Sequence, residues 1–285
     1  MTPSTVVDAI HTDTPPCEPS REITASLHEN HAAPSPLAPT PNSAQTSHWT
    51  PESVLSTLPV QPQKHSTSPV PFFHVLERLK TTKREGWRRF GMNHGESISD
   101  HMYRMSVLTM LAPPSLSSRI NIPHCTKMAL VHDMAESLVG DITPVDGIPK
   151  PEKNRREAET MDYLCNTLLG RVSGGLAGAD IRAIWQEYED GETLESQYVH
   201  DIDKMELLLQ MVEYERSHKG TIDLEEFSWV AKRISLPEVK AWCDDLLAER
   251  ENFWNEIGRK PSGSHLSAKQ VEQHTEYYGN GSNGA

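Results

Sequence analysis

The sequence has few cysteines, no long apolar run and little basic charge. Its four cysteines, at positions 17, 125, 165 and 243, are widely separated and form no CxxC pair. This spacing argues against a disulfide framework or a zinc-cysteine site and predicts reduced thiols in an intracellular protein. No run of about 18 apolar residues is present, and the first 25 residues lack the apolar core of a secretory signal. The sequence therefore predicts no membrane partner.

The shortage of basic residues leaves a formal net charge of −13. Nucleic-acid polymers and anionic membranes require a basic surface, so this balance argues against both as partners. A strongly acidic protein is better suited to binding metal cations. An anionic substrate requires a local patch of basic side chains.

Both ends of the sequence have the composition of disordered chain. Residues 1–68 contain 11 of the 21 prolines, mixed with serine, threonine and alanine, and the whole chain is only 36% hydrophobic. Such a segment buries too little apolar surface to offset its chain entropy. We predict that residues 1–68 and the polar, glycine-rich tail 261–285 are disordered.

The region between these ends has helical periodicity almost throughout. No stretch alternates with period two for long enough to predict a strand, and no internal repeat is present. The sequence therefore predicts one all-α domain over residues 69–260. The predicted helices cover residues 72–80, 97–112, 123–139, 151–169, 179–189, 193–217, 223–234 and 237–257.

The stretch LVHDMAESLVGDITPVDG, residues 130–147, places a histidine and four acids in an otherwise apolar helix. A solvated acidic face is one explanation, and a metal site is the other. His132 and Asp133 can reach one ion at the edge of a helix, and Glu136 would face the same cavity. Because short motifs arise by chance, this segment alone favours the acidic face.

Three further segments favour the metal site. His101 lies among inward-facing apolar residues, where an ionisable group needs a partner. Asp203 precedes a strongly apolar run, where a buried carboxylate is costly without a cation. The stretch REGWRRFG, residues 84–91, places cationic groups and an indole next to the helix of His101.

These blocks together resemble a known family. The order of GESISDHMYRMS, ALVHDMAESLVGDITP and HDIDKMELLLQMVEYE is similar to that of the HD-domain metal-dependent phosphohydrolases. More narrowly, it resembles the HD-domain 5′-deoxynucleotidases, both the bacterial YfbR type and its eukaryotic relatives. The resemblance covers about residues 70–258 and implies a single HD-domain helical bundle.

The resemblance also implies roles for individual residues. One divalent cation would be held by four ligands, His101, His132, Asp133 and Asp203. A second cation would be bound by Glu136, Asp141 and the carbonyl of Ile142. Arg84 and Trp87 match residues that contact substrate, although two residues separate them here and none does in the bacterial type. The second His-Asp pair, His200-Asp201, then provides no ligand.

Several roles stay open at the level of the sequence. Glu136 and Asp141 either act in catalysis, by accepting the proton of an attacking water, or bind the second cation. Trp87 either contacts the sugar or packs in the core. Thr143 either hydrogen-bonds the substrate or stabilises the turn before Pro144. Mixed nitrogen and oxygen ligands suit Mn, Fe, Co, Ni or Zn, whereas an all-oxygen second site suits Mg.

The expected function is hydrolysis of deoxyribonucleoside 5′-monophosphates to the deoxynucleoside and phosphate. One alternative is an HD-domain phosphohydrolase that acts on a cyclic nucleotide or an alarmone. The other is an interaction module that keeps the metal and has lost catalysis. The resemblance further implies a homodimer, and we expect a cytoplasmic location with a nuclear pool as the alternative.

Overall fold

A computed structural model describes residues 48–262, and the predicted all-α class is confirmed. Over this range the chain forms helices and turns, with one isolated β-bridge between Lys83 and Ser97. No described helix is long and apolar enough to cross a membrane. The α-helices are α1 Pro51–Leu55, α2 Val70–Leu76, α3 Arg78–Thr81, α4 Glu85–Arg88, α5 Ile98–Thr109, α6 Pro114–Ser117, α7 Ile122–Val131, α8 Glu136–Val139, α9 Lys150–Asp162, α10 Leu176–Asp190, α11 Leu194–Ser217 and α12 Pro237–Glu256. Residues Tyr163–Leu168 extend α9 as a π-helix, and 3₁₀ turns cover Pro144–Asp146, Val172–Gly175 and Glu225–Arg233.

The segment predicted to be disordered differs in its last part. Residues 48–68 contain α1, which begins at a capping box formed by Thr50 and Ser53. Leu55 is buried, and the carbonyl of Trp49 accepts a hydrogen bond from Arg155 at 3.2 Å. The buried leucine and this hydrogen bond attach the segment to the domain, which its proline-rich composition did not predict. The predictions for residues 1–47 and 263–285 lie outside the described residues.

The long helix α11 lies at the centre of the domain and contacts α5, α7, α10 and α12. It begins after Thr193, whose hydroxyl accepts a hydrogen bond from the Ser196 amide at 3.1 Å. Helix α5 begins after Ser97, whose hydroxyl accepts a hydrogen bond from the Asp100 amide at 3.2 Å. Helices α5 and α11 thus pack side by side with fixed starting points.

The helix predicted over residues 123–139 is interrupted. Helix α7 ends at Val131, and α8 begins at Glu136. Between them the Glu136 amide donates to the carbonyl of Asp133, three residues back, at 3.0 Å. Hydrogen bonds between residues three apart, in place of four, bring side chains three residues apart onto the same side of the turn. This arrangement aligns Asp133 with Glu136, and Gly140, with φ 79°, ends α8.

Candidate functional site

Three elements bring the predicted ligands of the first cation together. His101 lies on α5, His132 and Asp133 follow α7, and Asp203 lies on α11. The His101 Nε2 atom is 3.2 Å from the Asp203 carboxylate and 3.8 Å from that of Asp133. The His132 Nε2 atom is 3.2 Å from Asp133. One cluster therefore contains two imidazole nitrogens and two carboxylates.

The hydrogen bonding of the two imidazoles indicates that the cluster can bind a divalent cation. The Nε2 atoms of His101 and His132 are buried, and neither has a hydrogen-bond partner. Each Nδ1 atom is bonded instead, that of His101 to Glu206 at 2.6 Å and that of His132 to the carbonyl of Ala129 at 2.9 Å. Buried polar atoms are rarely left unpaired, and a metal ion satisfies nitrogens of this kind. His101, His132 and Asp133 have the spacing of a metal site.

The electrostatics of the cluster point the same way. Burial and the charge of Arg84 oppose protonation of His101, but surrounding carboxylates raise its pKa to about 10. Burial raises the pKa of Glu136 well above its usual value, and the charges of Asp133 and Asp141 add to this shift. Both shifts reflect an excess of negative charge in a buried space. A cation bound there would neutralise it.

The two acids predicted beside the first ligands have different environments. Glu136 is buried, and its Oε2 atom has no hydrogen-bond partner. Asp141 accepts a hydrogen bond from the Glu85 amide at 2.6 Å, which joins the start of α4 to the loop after α8. Ile142 follows Asp141 and its side chain is buried. Glu136 thus has an oxygen available for a ligand, whereas Asp141 also anchors the loop.

Arg84 is the basic group of the site. Its guanidinium lies 3.2 Å from the Asp133 carboxylate. Burial disfavours its charge, yet the carboxylates of Asp141 and Asp133 raise its pKa well above the usual value. Arg84 therefore stays charged beside the cluster, where it offers further N–H groups to an anion.

For Trp87 and Thr143 the sequence left two roles open, a structural one and a contact with substrate. In the structure both side chains make structural contacts. Trp87 is only 2% exposed and packs against Tyr214 and Phe227, and its indole N–H donates to Glu96 at 2.8 Å. The Thr143 hydroxyl donates to Asp146 at 2.8 Å and stabilises the turn. Their contacts with substrate stay predictions.

Three residues around the proposed ligands were not predicted from the sequence: Glu206, Arg104 and Tyr188. Glu206 bonds both His101 and Arg104, while the Tyr188 hydroxyl donates to Asp203 at 3.4 Å. A signal for the first two was present, because Arg104 follows His101 by three residues and Glu206 follows Asp203 by three. That spacing places each pair on one helix face. No comparable pattern marked Tyr188.

Fold and site together define a class. The profile of the HD domain matches residues 76–242, which is more than half of the chain. The chain belongs to the HD-domain family, as the order of its histidine and aspartate motifs indicated.

Within this family its relatives are 5′-deoxynucleotidases by name. The 5′-deoxynucleotidase hdd1 of Schizosaccharomyces pombe is 48% identical over 196 residues, which cover 68% of this chain and 96% of that protein. The 5′-deoxynucleotidase YGK1 of Saccharomyces cerevisiae is 41% identical over 211 residues, or 73% of this chain and 96% of that protein. A solved structure of the HD domain-containing protein YGK1 superposes with a TM-score of 0.54 at 35% identity, and covers 73% of this chain and all of that one. The resemblance inferred from the motifs is confirmed.

Proposed function

We propose that this protein is a metal-dependent 5′-deoxynucleotidase, which hydrolyses deoxyribonucleoside 5′-monophosphates to deoxynucleosides and phosphate. The observation that carries the proposal is that the buried Nε2 atoms of His101 and His132 make no hydrogen bond and converge with two carboxylates beside a charged arginine. The names of relatives at 48% and 41% identity support the same substrate class.

In this proposal His101, His132, Asp133 and Asp203 hold the first divalent cation. When bound, the cation supplies Lewis acidity toward water and a phosphate oxygen. Two neutral imidazoles and two carboxylates nearly cancel its charge, so the dianionic phosphate needs an additional cationic group. The nitrogen and oxygen donors suit Mn, Fe, Co, Ni or Zn.

Arg84 supplies that group. Its Nη1 atom is near Asp133, and its remaining N–H groups can donate to two phosphate oxygens at once. Being buried, the guanidinium interacts with phosphate in a region of reduced dielectric, where its attraction is stronger than in water. Arg84 therefore orients the phosphate against the ligand cluster.

Glu136 is the group that handles the proton of the attacking water. Its Oε2 atom is buried without a hydrogen-bond partner, so this oxygen is available to accept that proton. Asp141 either assists it or, with Glu136 and the carbonyl of Ile142, binds a second cation, for which Mg is suited by the oxygen donors. Trp87 would limit space beside the sugar, and Thr143 would contact the substrate from the turn.

The test is a substrate panel with purified protein reconstituted separately with each divalent metal. We expect phosphate release from dAMP, dGMP or dTMP, and less from the matching ribonucleotides. Absence of activity on every deoxynucleoside monophosphate with every metal contradicts the proposal. Activity confined to cyclic nucleotides or guanosine tetraphosphate supports the alternative phosphohydrolase, and metal binding without any turnover supports the interaction module.

We also propose a cytoplasmic homodimer. The outer side of α5 and the turn that follows it carry exposed apolar side chains, Tyr103 and Val107 on the helix and Met110 and Leu111 directly after it. A second copy of the chain could bury these side chains, and the family resemblance favours that occupant. Light scattering should give twice the monomer mass, and Met110→Glu should reduce it. A wild-type monomer at micromolar concentration contradicts the dimer.

A further inference from the structure

We propose that Glu206, held by Arg104, is a positioning residue that fixes the imidazole of His101 for metal binding. The proposal rests on the ligand role of His101 but not on the identity of the substrate. Glu206 is 0% exposed, and each of its two oxygens has one defined task. The Oε2 atom bonds the His101 Nδ1 atom at 2.6 Å, and the Oε1 atom accepts from the Arg104 Nε at 2.7 Å.

The bond to Glu206 determines which nitrogen of His101 is available. An ionised carboxylate only accepts hydrogen bonds, so its partner nitrogen, Nδ1, must carry the hydrogen. The lone pair of a neutral imidazole then resides on Nε2, the atom that faces Asp203 and Asp133. Carboxylate partners of this kind orient histidine ligands and strengthen them as donors.

Arg104 gives the buried Glu206 carboxylate a cationic hydrogen-bond partner. A carboxylate without solvent contact becomes neutral unless a cation lies beside it. The Arg104 guanidinium provides that charge, and its outer N–H groups donate to Gln210 at 3.0 Å and Glu213 at 2.6 Å. The guanidinium is therefore fixed from both sides.

The register of the two helices explains how this network forms. On α5, Arg104 follows His101 by three residues. On α11, the partners Glu206, Gln210 and Glu213 are separated by four and then three residues, so that they share one face. Asp203 precedes Glu206 by three residues on that same face. One side of α11 thus contributes a proposed ligand, a residue that orients a second ligand, and two residues that hold Arg104.

His132 offers an internal contrast. Its Nδ1 atom bonds a backbone carbonyl, that of Ala129, which no side-chain substitution removes. The orientation of His101 depends on a side chain, so it can be tested by mutation. We expect Glu206→Gln to weaken metal affinity by about 10–100-fold, because outer partners of metal-bound histidines have effects of this size.

Glu215→Gln is the matched control. Glu215 also lies on α11, is also 0% exposed and is also bonded to an arginine, Arg250, at 2.7 Å through both Nε and Nη2. It has no contact with a proposed ligand among the described interactions. Its substitution should lower the melting temperature and leave metal affinity within about twofold of the unmodified protein, a difference of less than 0.5 kcal/mol at about 1.4 kcal/mol per tenfold change.

The experiment measures zinc affinity by competition with a chelator, together with imidazole nitrogen NMR of the zinc-loaded protein. In the unmodified chain the Nδ1–H of His101 should give a downfield signal protected from exchange. Glu206→Gln should lose that protection and bind zinc more weakly. Arg104→Gln, at a half-buried residue, should shift both readouts in the same direction, and it provides the test if Glu206→Gln does not fold.

Two results overturn the inference. One is unchanged zinc affinity and an unchanged Nδ1–H signal in whichever of the Glu206 and Arg104 variants fold. The other is an equal loss of affinity in Glu206→Gln and Glu215→Gln, which would show a general effect of disturbing α11. Neither readout uses a nucleotide, so failure of the proposed substrate class leaves this test intact.

Discussion

The dipeptide His-Asp occurs twice in the sequence, and its two copies have opposite surroundings. In the first pair, His132-Asp133, the histidine Nε2 makes no hydrogen bond and lies 3.2 Å from its neighbour's carboxylate, which is also near Arg84. In the second pair, His200-Asp201, every polar contact is made within the protein. The His200 Nε2 donates to the carbonyl of Tyr188 at 2.9 Å.

Asp201 shows the difference most clearly. Its carboxylate accepts hydrogen bonds from the amides of Ser235 and Leu236, the latter at 2.7 Å, directly before α12 begins. It therefore joins α11 to α12 and has no capacity to spare for a ligand. The same two residue types form a candidate metal site where the histidine nitrogen lacks a hydrogen bond. They form a structural contact between helices where both side chains are hydrogen-bonded to the backbone. Unsatisfied bonding capacity, more than residue identity, separates the two.

The largest expected effect follows from substituting the first pair. Asp133→Asn removes a carboxylate on which two imidazoles and Arg84 converge. We expect bound metal to fall below one equivalent and turnover to drop by more than about 100-fold, since a direct ligand matters at least as much as an outer partner. Elemental analysis and phosphate release measure the two quantities. Full metal content with normal turnover in this variant excludes Asp133 from the site.

The next effect concerns the unpartnered acid beside the first pair. Glu136→Gln keeps the shape of the side chain and removes its ability to accept a proton. We expect turnover to fall by about 10²–10⁴-fold, the usual range for loss of a general base, with the first cation retained. Glu215→Gln, a buried glutamate outside the cluster, is the control and should keep its rate per folded molecule. Near-normal turnover of Glu136→Gln removes Glu136 from the mechanism.

The contrast between the pairs also shows what the sequence could reveal. The periodicity of residues 97–112 and 193–217 predicted α5 and α11 to within a few residues, because their apolar faces are regular and their caps are standard. The motif order then placed His101, His132, Asp133 and Asp203 in one candidate site, and the structure brings these four side chains together. Regular local patterns predicted the helices, and the family resemblance implied the set of four ligands.

The remaining features depend on contacts that no local pattern encodes. The break between Val131 and Glu136 is a change from four-residue to three-residue hydrogen bonding, to which apolar spacing is insensitive. Glu206 meets His101 across 105 positions of sequence, and Asp201 meets Ser235 across 34. The local sequence around a charged residue on a helix does not show whether its side chain contacts water or a residue of a distant helix.

Asp201→Asn tests the second pair and should have the opposite outcome to Asp133→Asn. Loss of charge-assisted hydrogen bonds to the buried start of α12 should lower the free energy of unfolding by about 1.5–3 kcal/mol. Metal content and turnover per folded molecule should stay unchanged. Thermal or denaturant unfolding measures the first quantity. A loss of metal without a loss of stability would reverse the roles assigned to the two aspartates.

The last expected effect is a pH dependence of stability that belongs to His200. Burial, reinforced by the charge of Lys204, lowers its pKa to about 4, whereas an unfolded histidine titrates near 6.5. Between these values the unfolded chain binds more protons than the folded one, so His200 contributes stability above about pH 6.5 that is lost as the pH falls toward 4. His200→Gln, which keeps an N–H for the Tyr188 carbonyl, should flatten this part of the stability profile.

Lost stacking on Tyr188 lowers the stability of that variant at every pH, so the informative quantity is the slope between pH 4 and pH 6.5. His94→Gln, at an exposed position, is the control and should keep the slope of the unmodified chain. An equal slope in all three proteins would mean that His200 does not differ in protonation between the folded and unfolded states. His200 would then stabilise the fold only through its hydrogen bond to the Tyr188 carbonyl and its stacking on Tyr188, without a pH-dependent contribution.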